Sequence, residues 1–550
     1  MKVVIIGGVA GGASCAARLR RLDEKAEIVI FERGNYVSFA NCGLPYYIGG
    51  TINNKQKLTL ETPEGFKSKF NIDVVTDSEV FAIDRNNKKV KVKNLSSGEI
   101  YDETYDKLVI STGAKAIIPS VEGIDNKRIF TLRSIPDTYR ISDYIEDDKP
   151  KKAIIIGGGF IGVEMAENLV DRGIEVTMVE MSNQILAPLD LELAIEVENH
   201  MYNKGVKFLL NQGVSAIKED KRLKVQTTKC TIATDLIVLA IGVTPESELA
   251  LKSSIEVNEQ GYIKTSDNML TNDGDIYACG DAVEVSEFVT KRKKAIPLAG
   301  PANKQGRIVA DNIAGINSTF KGTQGTSVAK VFDLTIATTG INEKTAKKLE
   351  LNYDKALIFV GSHAGYYPGS KQMCLKLIYA KENGKILGAQ GVGEDGVEKR
   401  IDVIATALRL GGTVTDLTEL ELSYAPPYSS AKDPVNMLGF VAENMMNGKV
   451  KTFDVHEVDD LVKEKAGYFI DVRSKAECDK GKINGFTNIP VEEIRNKIHR
   501  GEFDVNKKVY ISCQVGKRGY NVSRIFMQYG FDTYNLPGGY RLYSSYKKFK

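Results

Sequence analysis

Ala153-Ile-Ile-Ile-Gly157-Gly-Gly-Phe-Ile-Gly162 is a β-branched run that breaks into glycines and opens onto a helical stretch ending near Arg172 and Gly173. A further run, Glu175-Val-Thr-Met-Val-Glu180, follows and ends in an acid. Strand, glycine turn, helix, strand and terminal acid are the parts of a βαβ dinucleotide cradle. The first glycine makes the turn, the second admits a pyrophosphate to backbone N–H groups, and the third packs helix on strand, while the acid accepts ribose hydroxyls. Gly157, Gly159, Gly162 and Glu180 fill all of these places. A chance glycine run does not explain the strand, helix and acid around it. Glu180 favours free ribose hydroxyls and repels a 2′-phosphate, and Met181, Ser182 and Asn183 supply no cation, so NADH is expected in preference to NADPH.

Outward from this unit the pattern occurs again, at the start of the chain. Lys2-Val-Val-Ile-Ile runs into Gly7-Gly-Val-Ala-Gly-Gly12, a helical stretch over 13–22, and Ala26-Glu-Ile-Val-Ile-Phe-Glu32. Gly7 and Gly12 fit, but Val9 holds the middle glycine's place. Leu108-Val-Ile-Ser-Thr-Gly113 reads as a strand leaving this first unit, and Leu236-Ile-Val-Leu-Ala-Ile-Gly242 as one returning from the second. The second unit is therefore expected to be inserted within the first. A later short strand, Asp275-Ile-Tyr-Ala-Cys279, ends in Gly280-Asp281.

With 550 residues the chain is too long for one core. The expected class is α/β. The division expected is 1–112 with 243–325 for one nucleotide domain, 113–242 for the other, 326–446 for an α+β domain, 447–454 for a linker, and 455–550 for a small α/β domain. Lysine and arginine number 74 against 71 acids, a balance with no pull toward nucleic acid or anionic membrane. No apolar run approaches the ~20 residues of a membrane span. The N-terminus becomes a glycine turn at once, without a cleavable apolar leader, so a cytoplasmic protein is expected. Seven cysteines are scattered with no C-x-x-C or Cys/His cluster, which predicts neither zinc nor a disulfide scaffold. Most should be small buried hydrophobes.

Two cysteines are exceptions. Cys42 lies in Ser38-Phe-Ala-Asn-Cys42-Gly-Leu-Pro-Tyr46, where the chain leaves the first unit. A place at or near a helix start is expected to lower its pKa. A lone cysteine is usually structural, but this position favours a nucleophile. Cys513 ends the strand of Val509-Tyr-Ile-Ser-Cys513-Gln-Val-Gly516-Lys517-Arg518-Gly519, whose loop opens a helix. Loop amides converging on the sulfur, with Lys517 and Arg518, would stabilise a thiolate or persulfide. Upstream stand Tyr468-Phe-Ile-Asp471-Val-Arg473 and Gly481-Lys-Ile-Asn-Gly485.

With these motifs and Tyr424-Ala-Pro-Pro-Tyr428-Ser-Ser-Ala-Lys432-Asp-Pro434, residues 1 to about 445 resemble the single-cysteine branch of the pyridine nucleotide-disulfide oxidoreductases. Within it they resemble the coenzyme A-disulfide reductases and the NADH-dependent persulfide or polysulfide reductases. The C-terminal segment resembles a rhodanese: its C-x-x-G-x-R loop matches, with Gln514 where arginine is common. The resemblance implies two nested Rossmann-like domains, a dimerisation domain, and a homodimer. It implies FAD held by Gly7, Gly8, Ala10, Gly11, Gly12, Glu32, Arg33, Val80, Thr112, Gly113, Asp281 and Ala299, with Asp281 near the ribityl chain. NADH, or alternatively NADPH, would meet Gly157, Gly159, Phe160, Ile161, Gly162, Glu180 and Gly242. Cys42 would form a mixed disulfide with coenzyme A, assisted from the other subunit by Tyr366 and Tyr424, with Tyr367 and Tyr428 as alternates. Coenzyme A would be held by Ser14, Arg18, Arg21, Ser38, Asn41, Asn303 and Lys432, with Lys67 and Lys69 as further cations. Arg518 would serve the sulfur substrate at Cys513. Basic helix faces are often merely solvated, and tyrosines often merely pack in interfaces.

Rival chemistries fit less well. Dithiol reductases carry a C-x-x-x-x-C that does not surround Cys42, and NADH oxidases and peroxidases carry a histidine in the glycine loop where Ala10 stands. The fused rhodanese segment suggests a relay, in which sulfane sulfur taken by Cys513 reaches Cys42 as coenzyme A persulfide. Independent activities on one chain are the plainer alternative. A redox-sensing sulfur carrier is another, and the two nucleotide cradles argue against it.

Overall fold

Val3, Val4 and Ile5 have no exposed surface. Burial on both faces is the mark of a central parallel strand. Strand Lys2–Ile6 occupies that place in a sheet ordered Ile276–Ala278, Lys107–Ile110, Lys2–Ile6, Glu27–Phe31 and Asp73–Val75, with every pairing parallel. A second parallel sheet runs Lys207–Leu209, Glu175–Val179, Lys152–Ile156, Leu236–Leu239 and Ile129–Thr131. The second sheet's strands fall in sequence between Lys107–Ile110 and Ile276–Ala278, so the second Rossmann-like layer is nested in the first. The structure, a computed structural model, describes residues 1–549. They form two compact units: residues 1–183 with 205–325, and residues 184–204 with 326 onward.

Six helices position the sites: α1 (Ala10–Leu22), α2 (Phe160–Asp171), α3 (Leu191–Asn203), α4 (Ala299–Ile313), α5 (Lys517–Gln528) and α6 (Gly539–Phe549). α1 starts three residues before the stretch expected from the sequence, because Ala10, Gly11 and Gly12 form its first turn. Two glycines there cost helix propensity, but contact requires them. A Cβ on Gly12 would stand 1.9 Å from Gly7 O, and one on Gly306 of α4 would stand 2.2 Å from Gly11 O.

In the other unit, an antiparallel sheet runs Ser327–Val331, Leu334–Gly340, Ile386–Gly393, Gln372–Ala380 and Tyr353–Gly361. α3 packs with this sheet although its sequence interrupts the second nucleotide-binding segment. Lys376, fully buried, meets Asp190 at 3.1 Å, Glu192 at 2.9 Å and Glu343 at 2.7 Å, which ties α3 to the sheet. The last sheet is parallel, ordered Lys451–Thr452, Thr533–Asn535, Lys508–Ser512, Gly467–Asp471 and Thr487–Asn488. Among the described residues no helix is long and apolar enough to cross a membrane.

Candidate active sites

The two cradles share one hydrogen-bond device. Glu32 accepts Gly8 N–H at 3.0 Å on one oxygen and Gly34 N–H at 2.9 Å on the other. Glu180 accepts Gly158 N–H at 2.8 Å and Ser182 N–H at 2.7 Å in the same manner. Each acid thereby clamps the glycine loop to the strand end that carries it. The first glycines need their left-handed backbone: Gly7 has φ +95°, Gly157 has φ +106°, and a Cβ on either would strike a carbonyl oxygen within 2.4 Å. The middle glycine is different. Gly159 has φ −75° and only Ala240 O, at 4.0 Å, near its absent Cβ. Val9 adopts φ −99°. No glycine backbone is required at this place, so Val9 is compatible with the turn.

The first cradle opens on a cavity of about 560 Å³ whose lining includes Gly7, Glu32, Arg33, Val80, Thr112 and Gly113. Gly8, Gly11 and Gly12 belong to the turn and helix start, Ala10 opens α1, and Ala299 opens α4, exposed. Asp281 is paired with Arg133, another lining residue, at 2.7 Å. Burial, ahead of any neighbouring charge, raises the Glu32 pKa. Asn41 also lines the cavity, and its buried Oδ1 has no hydrogen-bond partner. A buried acceptor left unmatched is costly, and a ligand donor would satisfy it. The residues present therefore fit a flavin dinucleotide. In the second cradle Phe160 and Ile161 open α2, and Gly242 turns at φ +115°.

Cys42 sits in a 3₁₀ turn, Asn41–Gly43, before the short helix Leu44–Ile48, and is exposed. The expected lowering of its pKa is overturned. Protein on the thiol's inner flank desolvates it and raises the pKa, Glu164 adds to the rise, and Arg133 opposes it. The five-residue helix has a small dipole, and Gly43 N–H is already given to Ala40 O at 2.9 Å. Burial likewise lifts Glu164 to about 7 and Tyr46 to about 12, and the Tyr46 hydroxyl lies 3.5 Å from Glu164 Oε1. Sequence reasoning missed Glu164 and Arg133. Glu164 stands two residues past the second glycine motif, which was a usable signal; Arg133 had none.

The coenzyme A candidates divide by partner. Ser14 donates to Asn303 Oδ1 at 2.7 Å, and Arg18 meets Asp311 at 2.8 Å, both along the α1–α4 seam. Arg21 is exposed. Arg20 is buried and bound to the carbonyls of Asp23, Glu24, Phe70 and Asn71. Lys67 pairs with Asp73 and Lys69 with Glu61, each at 2.8 Å on an exposed helix. Ser38, at φ +48°, donates its N–H to Gly8 O at 2.8 Å, and so stands beside the first cradle with Asn41. In the other unit Lys432 is exposed, and the hydroxyls of exposed Tyr366 and Tyr424 are 2.8 Å apart.

Cys513 is buried at the end of strand Lys508–Ser512, and Gly516 N–H donates to its sulfur at 3.1 Å. Gly516 has φ +98°, so the loop needs glycine there. The charge expected of Arg518 is shared: its guanidinium is held by both oxygens of Glu477, at 2.7 and 2.6 Å, and it also faces the Cys513 thiol. Arg518 in turn holds the Glu477 carboxyl down to about 2. Arg473, buried against Asp471, reaches Gln514 Oε1 at 3.3 Å and lies 4.1 Å over the Tyr540 ring. Cys15, Cys279, Cys374 and Cys478 are buried, and burial raises each thiol's pKa. Cys230 is exposed on a hairpin turn, its sulfur 3.5 Å from Thr227 Oγ1. Among the described residues no group of three or more His, Cys, Asp and Glu is placed to hold a metal.

Residues 1–306 match the pyridine nucleotide-disulphide oxidoreductase family, residues 326–434 its dimerisation domain, and residues 454–546 the rhodanese-like domain. The chain belongs to the pyridine nucleotide-disulphide oxidoreductases. A coenzyme A disulfide reductase of Staphylococcus haemolyticus is 37% identical over 81% of this chain and 100% of its own length. The crystal structure of reduced Bacillus anthracis CoADR-RHD is 52% identical with a TM-score of 0.96, covering 99% of this chain and 98% of that one. A NAD-dependent persulfide reductase from A. fulgidus is 38% identical with a TM-score of 0.93, covering 99% and 100%. The fold expected from the sequence is thereby borne out, as is an oxidoreductase body joined to a rhodanese-like domain. FAD and NAD(H) are the cofactors this family and these neighbours support.

Proposed function

We propose that the protein uses NADH and FAD to reduce the sulfur–sulfur bond of coenzyme A disulfide or coenzyme A persulfide through Cys42, with Cys513 as its source of sulfane sulfur. The observation that carries this reading is one exposed thiol, Cys42, adjoining Asn41 of the flavin-sized cavity, while Cys15 and Cys279 nearby in the same domain are buried. The Cys42 thiolate attacks one sulfur of the disulfide. That bond breaks, one coenzyme A leaves as thiolate, and Cys42 stays bonded to the other. Gly7, Glu32, Arg33, Thr112 and Gly113 would hold FAD, which would supply a two-electron path from NADH to this mixed disulfide. Its cleavage returns Cys42 and releases the second coenzyme A, so NADH, one proton and the disulfide yield NAD⁺ and two thiols. With the persulfide the products are coenzyme A and hydrogen sulfide. Glu164, half protonated near neutral pH, is suited to supply the proton a leaving thiolate needs.

Arg21 and Lys432 are exposed cationic candidates for the coenzyme A phosphates, with Arg18 and the exposed Lys67 and Lys69 shared with acids and Ser14, Ser38, Asn41 and Asn303 as polar neighbours. Tyr366 and Tyr424 serve Cys42 of a second copy in a homodimer, where a phenol can hydrogen-bond the departing thiolate. A cytoplasmic setting keeps both reactive thiols reduced. Glu180 selects NADH, and equal kcat/KM with NADPH would contradict that assignment. In the relay, Cys513 persulfide gives its outer sulfur to coenzyme A thiol, and the resulting coenzyme A persulfide is reduced at Cys42.

The test is NADH oxidation with coenzyme A disulfide and coenzyme A persulfide side by side, with sulfide assayed. Faster persulfide turnover with matching sulfide supports sulfur metabolism. Faster disulfide turnover assigns the enzyme to thiol redox balance. A Cys513→Ser variant that leaves thiosulfate-coupled NADH oxidation unchanged would sink the relay.

A further inference from the structure

The loop around Cys513 is closed by the last helix of the chain. α6 begins at Gly539, φ +52°, where a Cβ would stand 2.1 Å from Cys513 O. Tyr540 N–H donates to Cys513 O at 2.8 Å, and Arg541 N–H donates to Gln514 O at 3.1 Å. The carbonyls at the start of the sulfur-binding loop are thus held by the first turn of α6. Arg541 extends its side chain away from the loop. Its guanidinium donates through Nε at 3.0 Å and Nη2 at 2.6 Å to Glu196 on α3, and lies 5.0 Å over the Phe359 ring. Glu196 is buried, and its other carboxylate oxygen has no hydrogen-bond partner. A buried carboxylate requires a compensating cation; Arg541 provides it here.

We propose that Arg541 is a positioning residue of the Cys513 site, tying the sulfur-binding loop to Glu196 so that sulfur transfer depends on a helix outside the rhodanese segment. This rests on Cys513 being the sulfur acceptor. With thiosulfate as donor, the Cys513 thiolate attacks the outer sulfur. The sulfur–sulfur bond of the donor breaks, sulfite leaves with the bonding pair, and Cys513 carries a persulfide. Cyanide then removes that sulfur as thiocyanate and restores the thiolate. The attacking charge lies on the Cys513 sulfur, which accepts Gly516 N–H at 3.1 Å and whose place and aim the loop sets. A loop released at one end aims the attacking sulfur poorly in the transition state while thiosulfate binding changes less.

The experiment uses the full-length flavoenzyme with Arg541→Ala, Glu196→Gln, Arg541→Lys, the Ala/Gln double variant and Cys513→Ser. Thiocyanate formation and iodoacetamide labelling of Cys513, read by mass spectrometry, are both followed. Arg541→Ala and Glu196→Gln should each lower kcat about tenfold with KM within about threefold. The double variant should be no slower than either single, and Arg541→Lys should recover part of the loss. Labelling of Cys513 should quicken as the loop loosens, while reduction of coenzyme A disulfide is unchanged. Wild-type turnover and labelling in either single variant would overturn the proposal, as would losses that multiply in the double variant. If Cys513→Ser makes thiocyanate as fast as wild type, it is the acceptor assignment that falls, and the labelling rates alone then decide the positioning role.

Discussion

Cys42 and Glu164 show how one neighbour sets the chemistry of a thiol. Glu164 lifts the Cys42 pKa, second only to burial, and is itself near 7 because burial disfavours its charge. Below that pH Glu164 is neutral and does not oppose the thiolate; above it the carboxylate does. Glu164→Gln removes the opposition at every pH. The titration midpoint of Cys42, followed by alkylation in the resting enzyme, should move down, and labelling at pH 8 should be several-fold faster than in wild type. A midpoint that stays or rises would show that Glu164 does not govern this thiol. The same pair marks the limit of the sequence. Gly157, Gly159, Gly162 and Glu180 were legible because each serves a local backbone demand within one βαβ unit. Arg133, which opposes Glu164 at Cys42 and pairs with Asp281, is far from both in sequence and belongs to no motif. The expected helix-dipole effect on Cys42 failed for a related reason: desolvation comes from residues the local sequence does not contain.

Among the elements, the join between α3 and the antiparallel sheet is ionic and buried. Lys376 and Lys355 sit among Asp190, Glu192 and Glu343, and Lys355 also meets Asp454 at 2.7 Å. The two lysines outweigh burial and hold Glu343 and Glu192 below their ordinary pKa, and the acids hold Lys376 above its own. The sign follows. The carboxylates contribute stability that is present above their unfolded pKa of about 4.3 and is lost as pH falls through the depressed folded values. The lysine's contribution is present below its unfolded pKa of about 10.4 and is lost as pH rises through the raised one. Lys376→Met leaves buried carboxylates short of a cation and should cost about 3–5 kcal/mol at pH 7, measured by denaturant unfolding. The deficit should shrink as pH falls toward about 4, because the stranded carboxylates protonate in the folded variant at a higher pH than in wild type. A deficit independent of pH would assign the loss to packing instead. No periodicity in the sequence announces this cluster; α3 reads as part of a nucleotide-binding segment because only its packing reveals the attachment.

For the molecule as a whole, the rhodanese-like domain is bound to its neighbours by more than a linker. Lys355 meets Asp454, Arg541 meets Glu196, Lys548 donates to Asn199 at 3.0 Å, and Asn444 donates to the Tyr520 hydroxyl at 3.2 Å. The Phe549 ring stands edge-on to Tyr202, with centroids 6.0 Å apart. These contacts reach both α3 and the dimerisation domain, and they combine two partly buried ion pairs with aromatic packing. Exposed ion pairs alone would contribute little. The partly buried pairs carry a different consequence, since losing one partner strands the other. The C-terminal domain and the dimerisation domain should therefore unfold together. Calorimetry of the intact protein should show the rhodanese-like domain melting within the transition of the dimerisation domain. Arg541→Ala combined with Asp454→Ala should split off an earlier transition, because the first strands the buried Glu196 and the second removes the ion pair by which Lys355, still held by Glu343, reaches the rhodanese-like domain. A rhodanese-like domain that already melts separately in the wild-type protein would mean that it is tethered and not docked, and that the Cys513 loop is free of the reductase body.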